Sequence, residues 1–547
     1  MTGGETPPFS LAVIADAHFH DIVGDYGLPG VPAGERRLTL YSWARTREST
    51  RVFNESAAAL SAALERVVAR GIRHVVLLGD YTDDGQRRTT ESLARLLTRQ
   101  EEEHGLRFYA LPGNHDVFGP FGRHRSGDFL RADGRSVLVT SDGREPPPGA
   151  VVTPDFRCEG LPAGLLPMAR FGYFRRPEFL HWETPFGLND APEARRYEAV
   201  SADGRTRHRL MDASYLVEPE DGLWLMMIDA NVFEPRNGVF KPRSKRAFID
   251  STAAGWNAML RLKPFILIWM ADVAARAKAA GKTLLTFSHY PVIDPLDDRE
   301  GYEPRLFPRG TILKRRPEPA VAGAVSKAGI DLHFSGHWHV AGQSRRGDLV
   351  NVAVPSLCGY PPGFCVVEAK GAAVAVETVD LSALPLDADI MALYGREAAR
   401  TGGGSDAVSG ARDYGEFLRL HTQALVRHRY FPREWPAEVV SAIEGMRLSD
   451  LLADERTRPA GDVPPGCDAD EAVIALIADW YCLRQGGALA LAGLGECRIA
   501  LLEQLARLYA ETPDASTDRA IAAYLGLFFR AGLFHLERAR GPAWPAA

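Results

Sequence analysis

Between residues 9 and 115 the chain alternates apolar runs of strand length with longer stretches of helical spacing. FSLAVIAD is a continuous apolar run, the pattern of a strand covered on both faces. NESAAALSAALERVVARG repeats its apolar residues every three or four positions and closes on glycine, which predicts a helix. IRHVVLLGD then predicts a second strand, TTESLARLLTRQEEEHG a second helix and LRFYALPGNHD a third strand. This order is that of an α/β layer. Each strand runs out into a polar cluster, the place where open α/β sheets bind ligands.

Further on, MMIDANVF, KTLLTFSH and LHFSGHWHV end three more strands in polar residues. LKPFILIWMADVAARAKAAG has fewer than ten apolar residues before Asp272 and contains Pro264, too short a run to span a bilayer. It predicts a helix over the sheet, with no membrane role. GDLVNVAVPSLCGYPPGFCVVEAKGAAVAVETVDLS alternates in short runs and predicts antiparallel strands that complete a two-sheet sandwich. The expected catalytic region is 1–380, with insertions at about 117–222 and 232–282. The glycine- and serine-rich stretch 381–409 reads as a linker. From 410 to 547, five segments of helical periodicity separated by Pro, Gly and Asp predict an all-α bundle.

Composition narrows the function. Acidic residues number 70 and basic residues 64, so a net charge of -6 offers no global attraction for a polyanion and nucleic acid is a disfavoured partner. The six cysteines are sparse and form no CxxC pair, which suits a reducing, cytoplasmic setting. The first residues carry no basic stretch followed by a long apolar one, so no secretory leader is expected. No P-loop pattern is present.

The chemistry sits at five strand ends: Asp16 and His18; Asp80; Asn114, His115 and Asp116; His289; and His337 and His339. Were the last segment extended, His337 and His339 would point to one side and reach one small object. Oxygen and imidazole donors gathered at strand ends suit divalent metals such as Mn, Fe, Zn or Co, whereas calcium prefers oxygen alone.

These blocks, D-x-H, G-D, G-N-H-D, a lone H and G-H-x-H, are present in order, and in this the chain resembles the calcineurin-like metallophosphoesterase superfamily. The resemblance covers residues 9 to about 370. It implies an α/β fold in which a two-sheet β-sandwich is flanked by helices (αββα), here with a C-terminal all-α domain, and two divalent metal ions per chain. The first ion would take Asp16, His18, Asp80 and His339, and the second Asp80, Asn114, His289 and His337. Such a pair clamps the phosphoryl oxygens and supplies the attacking water as a bridging hydroxide. His115 would assist the leaving group, with Asp116 hydrogen-bonded to it. The helical appendage is similar to that of some bacterial cyclic-nucleotide phosphodiesterases.

The expected substrate is therefore a small phosphodiester such as a 3′,5′-cyclic nucleotide. Phosphomonoesters and nucleotide pyrophosphates come next, with nuclease or non-catalytic binding roles behind them. Candidate substrate contacts are His20, Asn231, Arg123 and Tyr173, together with other arginines and aromatics of 117–222. Asp83 and Asp84 read as turn residues before Gly85. The terminal helices offer a surface for homo-oligomers.

Overall fold

The computed structural model describes residues 8–117, 119–241, 243–370, 373–402, 408–453, 462–510 and 520–541. Its centre is a pair of sheets. In the five-stranded sheet, Phe9–Ile14, His74–Leu78 and Arg107–Leu111 run parallel, with Val13 opposite Val76 and Val76 opposite Tyr109. Gly363–Lys370 and Ala373–Asp380 extend it antiparallel on the far side of Phe9–Ile14. In the seven-stranded sheet, Leu223–Ile228, Thr283–Ser288, Leu332–Ser335 and Leu349–Ala353 are parallel neighbours. Gly342–Arg346 borders them at one edge, with Tyr215–Glu220 and His181–Glu183 at the other.

The sandwich follows from the two-residue period of its strands. In Leu223–Ile228, Leu225 and Met227 pack between the sheets with Leu11, Val13, Phe287 and Phe334. Trp224, Met226 and Ile228 face the other way, onto helices Ser251–Leu262, Pro264–Ala280 and Pro319–Lys327. Trp256 is fixed there by hydrogen bonds from Nε1 to Ser288 Oγ and the Tyr290 carbonyl. Helices Ser56–Ala69 and Arg87–His104 bury Leu60, Leu64, Leu93 and Leu97 in the core that includes the five-stranded sheet. The layers are thus helix, sheet, sheet, helix, as expected.

The stretch 117–222 is only in part an insertion, because His181–Glu183 and Tyr215–Glu220 belong to the seven-stranded sheet. Its additions are a small sheet of Ser126–Leu130, Ser136–Thr140 and Val151–Val152 and the hairpin Arg196–Val200/Arg207–Met211. The expected linker 381–409 is corrected more sharply. It contains the helix Ala388–Thr401, capped by Asp387, with Ile390, Leu393 and Tyr394 buried in the main core; residues 403–407 lie outside the described ones.

The C-terminal helices, chiefly Val473–Gly493, Glu496–Ala510 and Ala520–Arg540, form their own apolar cluster, while Tyr414–Leu425 buries Tyr414, Phe417 and Leu418 in the main core. Ala520–Arg540 is long and apolar enough to cross a membrane by length and composition, but 56% of its most apolar window is buried in the protein. Phe307, from the catalytic region, sits in the same cluster with Trp435, Trp480 and Tyr481. Beside it Arg484 grips Glu303 with Nε and Nη2, both at 2.6 Å and both buried. Losing one partner of such a pair leaves a buried charge unpaired and costs about 3–5 kcal/mol, so the contact holds only with both residues present.

Candidate active site

Parallel pairing brings the strand ends together, and the chain continues the pairing past the strands. Asp16 N donates to Gly79 O at 3.1 Å, His18 N to Asp80 O at 2.8 Å and, on the other sheet, Gly336 N to His289 O at 3.0 Å. At this edge Asp16, His18, Asp80, His337 and His339 all take positive φ, from 42° to 74°. Asp and His enter that region more readily than most residues, yet each still costs of order 1–3 kcal/mol. The extended geometry expected for His337 and His339 is therefore wrong. The left-handed turns send the two rings into different clusters.

Those clusters are Asp16, His18 and His339, and Asp80, His289 and His337, with the donor atoms of each within 4.8 Å of one another. His18 Nε2 and His339 Nε2 lie 3.2 Å apart, and Asp16 Oδ1 is 3.4 Å from His339 Nε2. Asp80 stands between the clusters, its Oδ2 3.2 Å from His289 Nε2 and 3.9 Å from His18 Nε2. His289 Nδ1 donates to Leu78 O at 3.0 Å and His339 Nδ1 to Thr50 O at 3.2 Å. A carbonyl only accepts, so each Nε2 keeps its lone pair for the centre.

The residues fit two divalent ions. Buried His289 Nε2, His337 Nε2 and Asn114 Oδ1 have no hydrogen-bond partner, a state that a cation at each cluster would relieve. Burial also lowers the pKa of His18 and His337 well below the usual imidazole range, favouring the neutral, ligating form. The glycines of the motifs have the same origin. A Cβ on Gly79, whose φ is +78°, would lie 2.6 Å from His289 Nδ1, and one on Gly113 would lie 2.1 Å from Asp80 Oδ1. A side chain there would displace a ligand.

His115 lies at the cavity wall beside His18, ring centroids 5.1 Å apart. Its expected partner, Asp116, points away. Asp116 accepts from Gly113 N, Thr82 N and Thr82 Oγ1 at 2.8 to 2.9 Å and so braces the loop. Burial, reinforced by Asp80, pushes its pKa up to about 7. The carboxylate on His115 is Asp84, Oδ1 to Nδ1 at 2.6 Å. Asp84 is also bound by Arg125 and is 3.4 Å from Arg51. Burial raises its pKa, but these two cations outweigh it and hold the carboxyl well below its usual range. Asp84, expected to serve a turn, holds the His115 imidazole instead.

The four proposed substrate contacts are corrected. His20 is fully buried, bonded through Nε2 to Thr39 O at 2.9 Å and packed on Tyr26 and Tyr41. Tyr173 is equally buried, 3.2 Å from the Tyr81 hydroxyl. Asn231 spans the G-N-H-D loop, its Nδ2 donating to Gly113 O and Val117 O at 3.2 and 3.0 Å. Arg123 lines a separate cavity of about 960 Å³ with His124, Arg236 and Phe248. The neighbouring Asp229 lies 3.4 Å from the fully buried Lys263.

What does line the cavity over the two clusters, about 660 Å³ in volume, includes Arg45, Arg51, Arg125, Arg315 and Arg429. Of these only Arg125 lies in the 117–222 stretch whose arginines the sequence offers as candidates. The available signal for the others is arginines in short basic runs, RTRESTR, KRR and RHR.

The strand ends converge on two buried donor clusters suited to a pair of metal ions. Residues 9–177 match the calcineurin-like phosphoesterase family. Among solved structures, a dimetal phosphatase from Danio rerio aligns at 15% identity and TM-score 0.37, covering 68% of this chain and 96% of that one. GAP50, the anchor in the inner membrane complex of Plasmodium, aligns at 11% and 0.28, covering 69% and 85%. The phosphopantetheinyl hydrolase from Mycobacterium tuberculosis aligns at 11% and 0.23, covering 64% and 90%. Scores of this size carry no argument about activity. No curated protein matches.

Proposed function

We propose that the chain is a metal-dependent hydrolase of small phosphate esters. The observation that carries this reading is Asp80, a single carboxylate set between two buried donor clusters. When bound, two divalent ions there neutralise phosphoryl charge and acidify a water to supply the nucleophile. The chain's own residues do the rest. Asp80 sets the spacing of the clusters, and Asn114, at the same cavity, offers a buried oxygen that has no hydrogen-bond partner. His115, held at Nδ1 by Asp84, gives its proton to the leaving oxygen from Nε2.

The cavity is of nucleotide size. A 3′,5′-cyclic nucleotide or similar diester is one candidate, supported by the resemblance of the helical appendage. The arginine-rich wall favours a second, more highly charged class, a phosphomonoester or nucleotide pyrophosphate. A reducing, cytoplasmic setting belongs to the same proposal, supported by six thiols with no disulfide.

The test is a panel on chelated and Mn-reloaded protein: bis-p-nitrophenyl phosphate, p-nitrophenyl phosphate, cAMP, AMP and ADP. Metal-dependent turnover of any of these supports the hydrolase, and the preferred ester chooses between the two classes. Turnover that survives exhaustive chelation, or none with metal restored, refutes it.

A further inference from the structure

The five arginines of the cavity are not alike. Arg51 Nη2 lies 2.6 Å from Asp83 Oδ1, and Arg125 is bonded to Asp84, so both already have carboxylates. Among the described residues the other three have none at ion-pair distance. Arg45 lies over the Tyr41 and Phe53 rings, 5.0 and 5.6 Å from their centroids. Arg429 Nη1 donates to Glu48 O at 2.9 Å, a carbonyl that carries no charge. The Arg315 guanidinium makes no hydrogen bond to the described protein.

Arg315 and Arg429 are also neighbours. Both line the main cavity beside His337 and His339, and both line a narrow cleft of about 60 Å³ behind it. Burial, and then repulsion from Arg429, lowers the pKa of Arg315. Glu303 lies in that cleft, but Arg484 holds both of its oxygens. Glu434, also in the cleft, acts on both arginines through space but makes no ion pair with either among the described residues. Two neighbouring cations with no carboxylate at ion-pair distance favour an anion between them.

Charge balance indicates which anion. Two divalent ions against the carboxylates of Asp16 and Asp80 and one metal-bound hydroxide leave a single positive charge, which the first phosphate group alone satisfies. Arg315 and Arg429 then remain without a carboxylate at ion-pair distance. Guanidinium forks match phosphate oxygens in pairs. We propose that Arg315 and Arg429 bind a second phosphate group on the same substrate molecule, which makes the substrate a diphosphate or bisphosphate ester. This rests on the hydrolase reading above and narrows it.

It also gives the helical region a task. Arg429 lies in the turn Val426–Tyr430 of the bundle, and the bundle steadies the facing loop. His421 Nε2 is 3.1 Å from Thr46 O, and Arg429 reaches Glu48. The same loop carries Thr50, whose carbonyl fixes His339. The appendage is thus one wall of the site.

The experiment compares wild type with Arg315→Gln, Arg429→Gln and Arg429→Lys in the full, Mn-loaded chain. KM is measured for ADP and for p-nitrophenyl phosphate, and calorimetry gives Kd for inorganic pyrophosphate and orthophosphate. The expected result in each Gln variant is a rise of about tenfold in the ratio of the ADP KM to the p-nitrophenyl phosphate KM. The pyrophosphate-to-orthophosphate Kd ratio should rise in parallel, with partial rescue by lysine. The Arg315 guanidinium makes no hydrogen bond to the described protein, so its variant separates binding from folding even if Arg429→Gln loosens the bundle. Equal KM changes for the two esters, or an unchanged Kd ratio, overturn the proposal. Wild type that hydrolyses p-nitrophenyl phosphate yet binds pyrophosphate no tighter than orthophosphate overturns it while leaving the hydrolase standing. If no ester is hydrolysed the hydrolase reading fails, and the Kd ratios still decide this one.

Discussion

The two walls of the cavity are built on opposite principles. The metal wall comes from strand ends, where short Asp, Asn and His side chains sit at fixed offsets and the backbone turns left-handed to aim them. The facing wall draws long side chains from unrelated places: Arg45 from the short helix Trp43–Thr46, Arg51 from the loop after it, Arg125 from just before the small sheet, Arg315 from the end of the turn Thr311–Lys314, and Arg429 from the helical bundle. A short ligand must be positioned by its main chain, so its neighbours are constrained and a motif results. A long arginine reaches a site from many backbones and leaves almost no pattern. On the proposed function, the first wall serves the reaction and the second the choice of substrate.

The largest effect should come from the metal wall. Asp80→Asn removes the only carboxylate between the clusters, so hydrolysis should fall by about three orders of magnitude or more, measured as kcat at saturating metal, while circular dichroism stays that of wild type. Near-normal turnover would remove the distinction between the walls.

A middle-sized effect belongs to the joint between them. Asp84→Asn frees His115 Nδ1 and weakens the hold of Arg51 and Arg125. The expected loss in kcat is about 10- to 100-fold for an alkyl phosphate and clearly less for p-nitrophenyl phosphate, whose leaving group needs no proton. Equal losses for both esters would show that Asp84 only braces the arginines.

The smallest effect is one of stability. Glu55 is buried, with one oxygen accepting from the Tyr394 hydroxyl at 3.0 Å and the other without a partner. Burial pushes its pKa up from 4.5 to about 7. A carboxyl raised in the folded state stabilises fully below its unfolded value, and that contribution is lost as pH climbs through about 7. Glu55→Gln, which stays neutral, should therefore match wild type at pH 4 and exceed it by about 2 kcal/mol at pH 8 in denaturant unfolding. The reverse order would show that Glu55 is ionised in place and that the 388–401 helix does not seal it.

The same contrast explains what could be read from the sequence. The sandwich and its flanking helices follow from periodicity, and the motif spacing that carries the family resemblance points to the six Asp and His residues the structure gathers in two clusters, because each depends on local backbone geometry. Side-chain direction beyond that does not. His20, Asn231 and Tyr173 are near the right strands, but they turn inward as braces and packing. The partner of His115 is not the adjacent Asp116 but Asp84, 31 positions earlier, brought close only by folding. The linker expectation failed because the glycines after residue 401 masked a helical pattern, Ile390, Leu393, Tyr394 and Glu397, already present before them.

The central claim is that one carboxylate holds two metal ions together. Its most direct test is the metal content of purified, Mn-reloaded chain, by elemental analysis against protein concentration, in wild type and Asp80→Asn. The account predicts two ions per chain in wild type and fewer than two in the variant. One ion or none in wild type, or two retained in the variant, would contradict it.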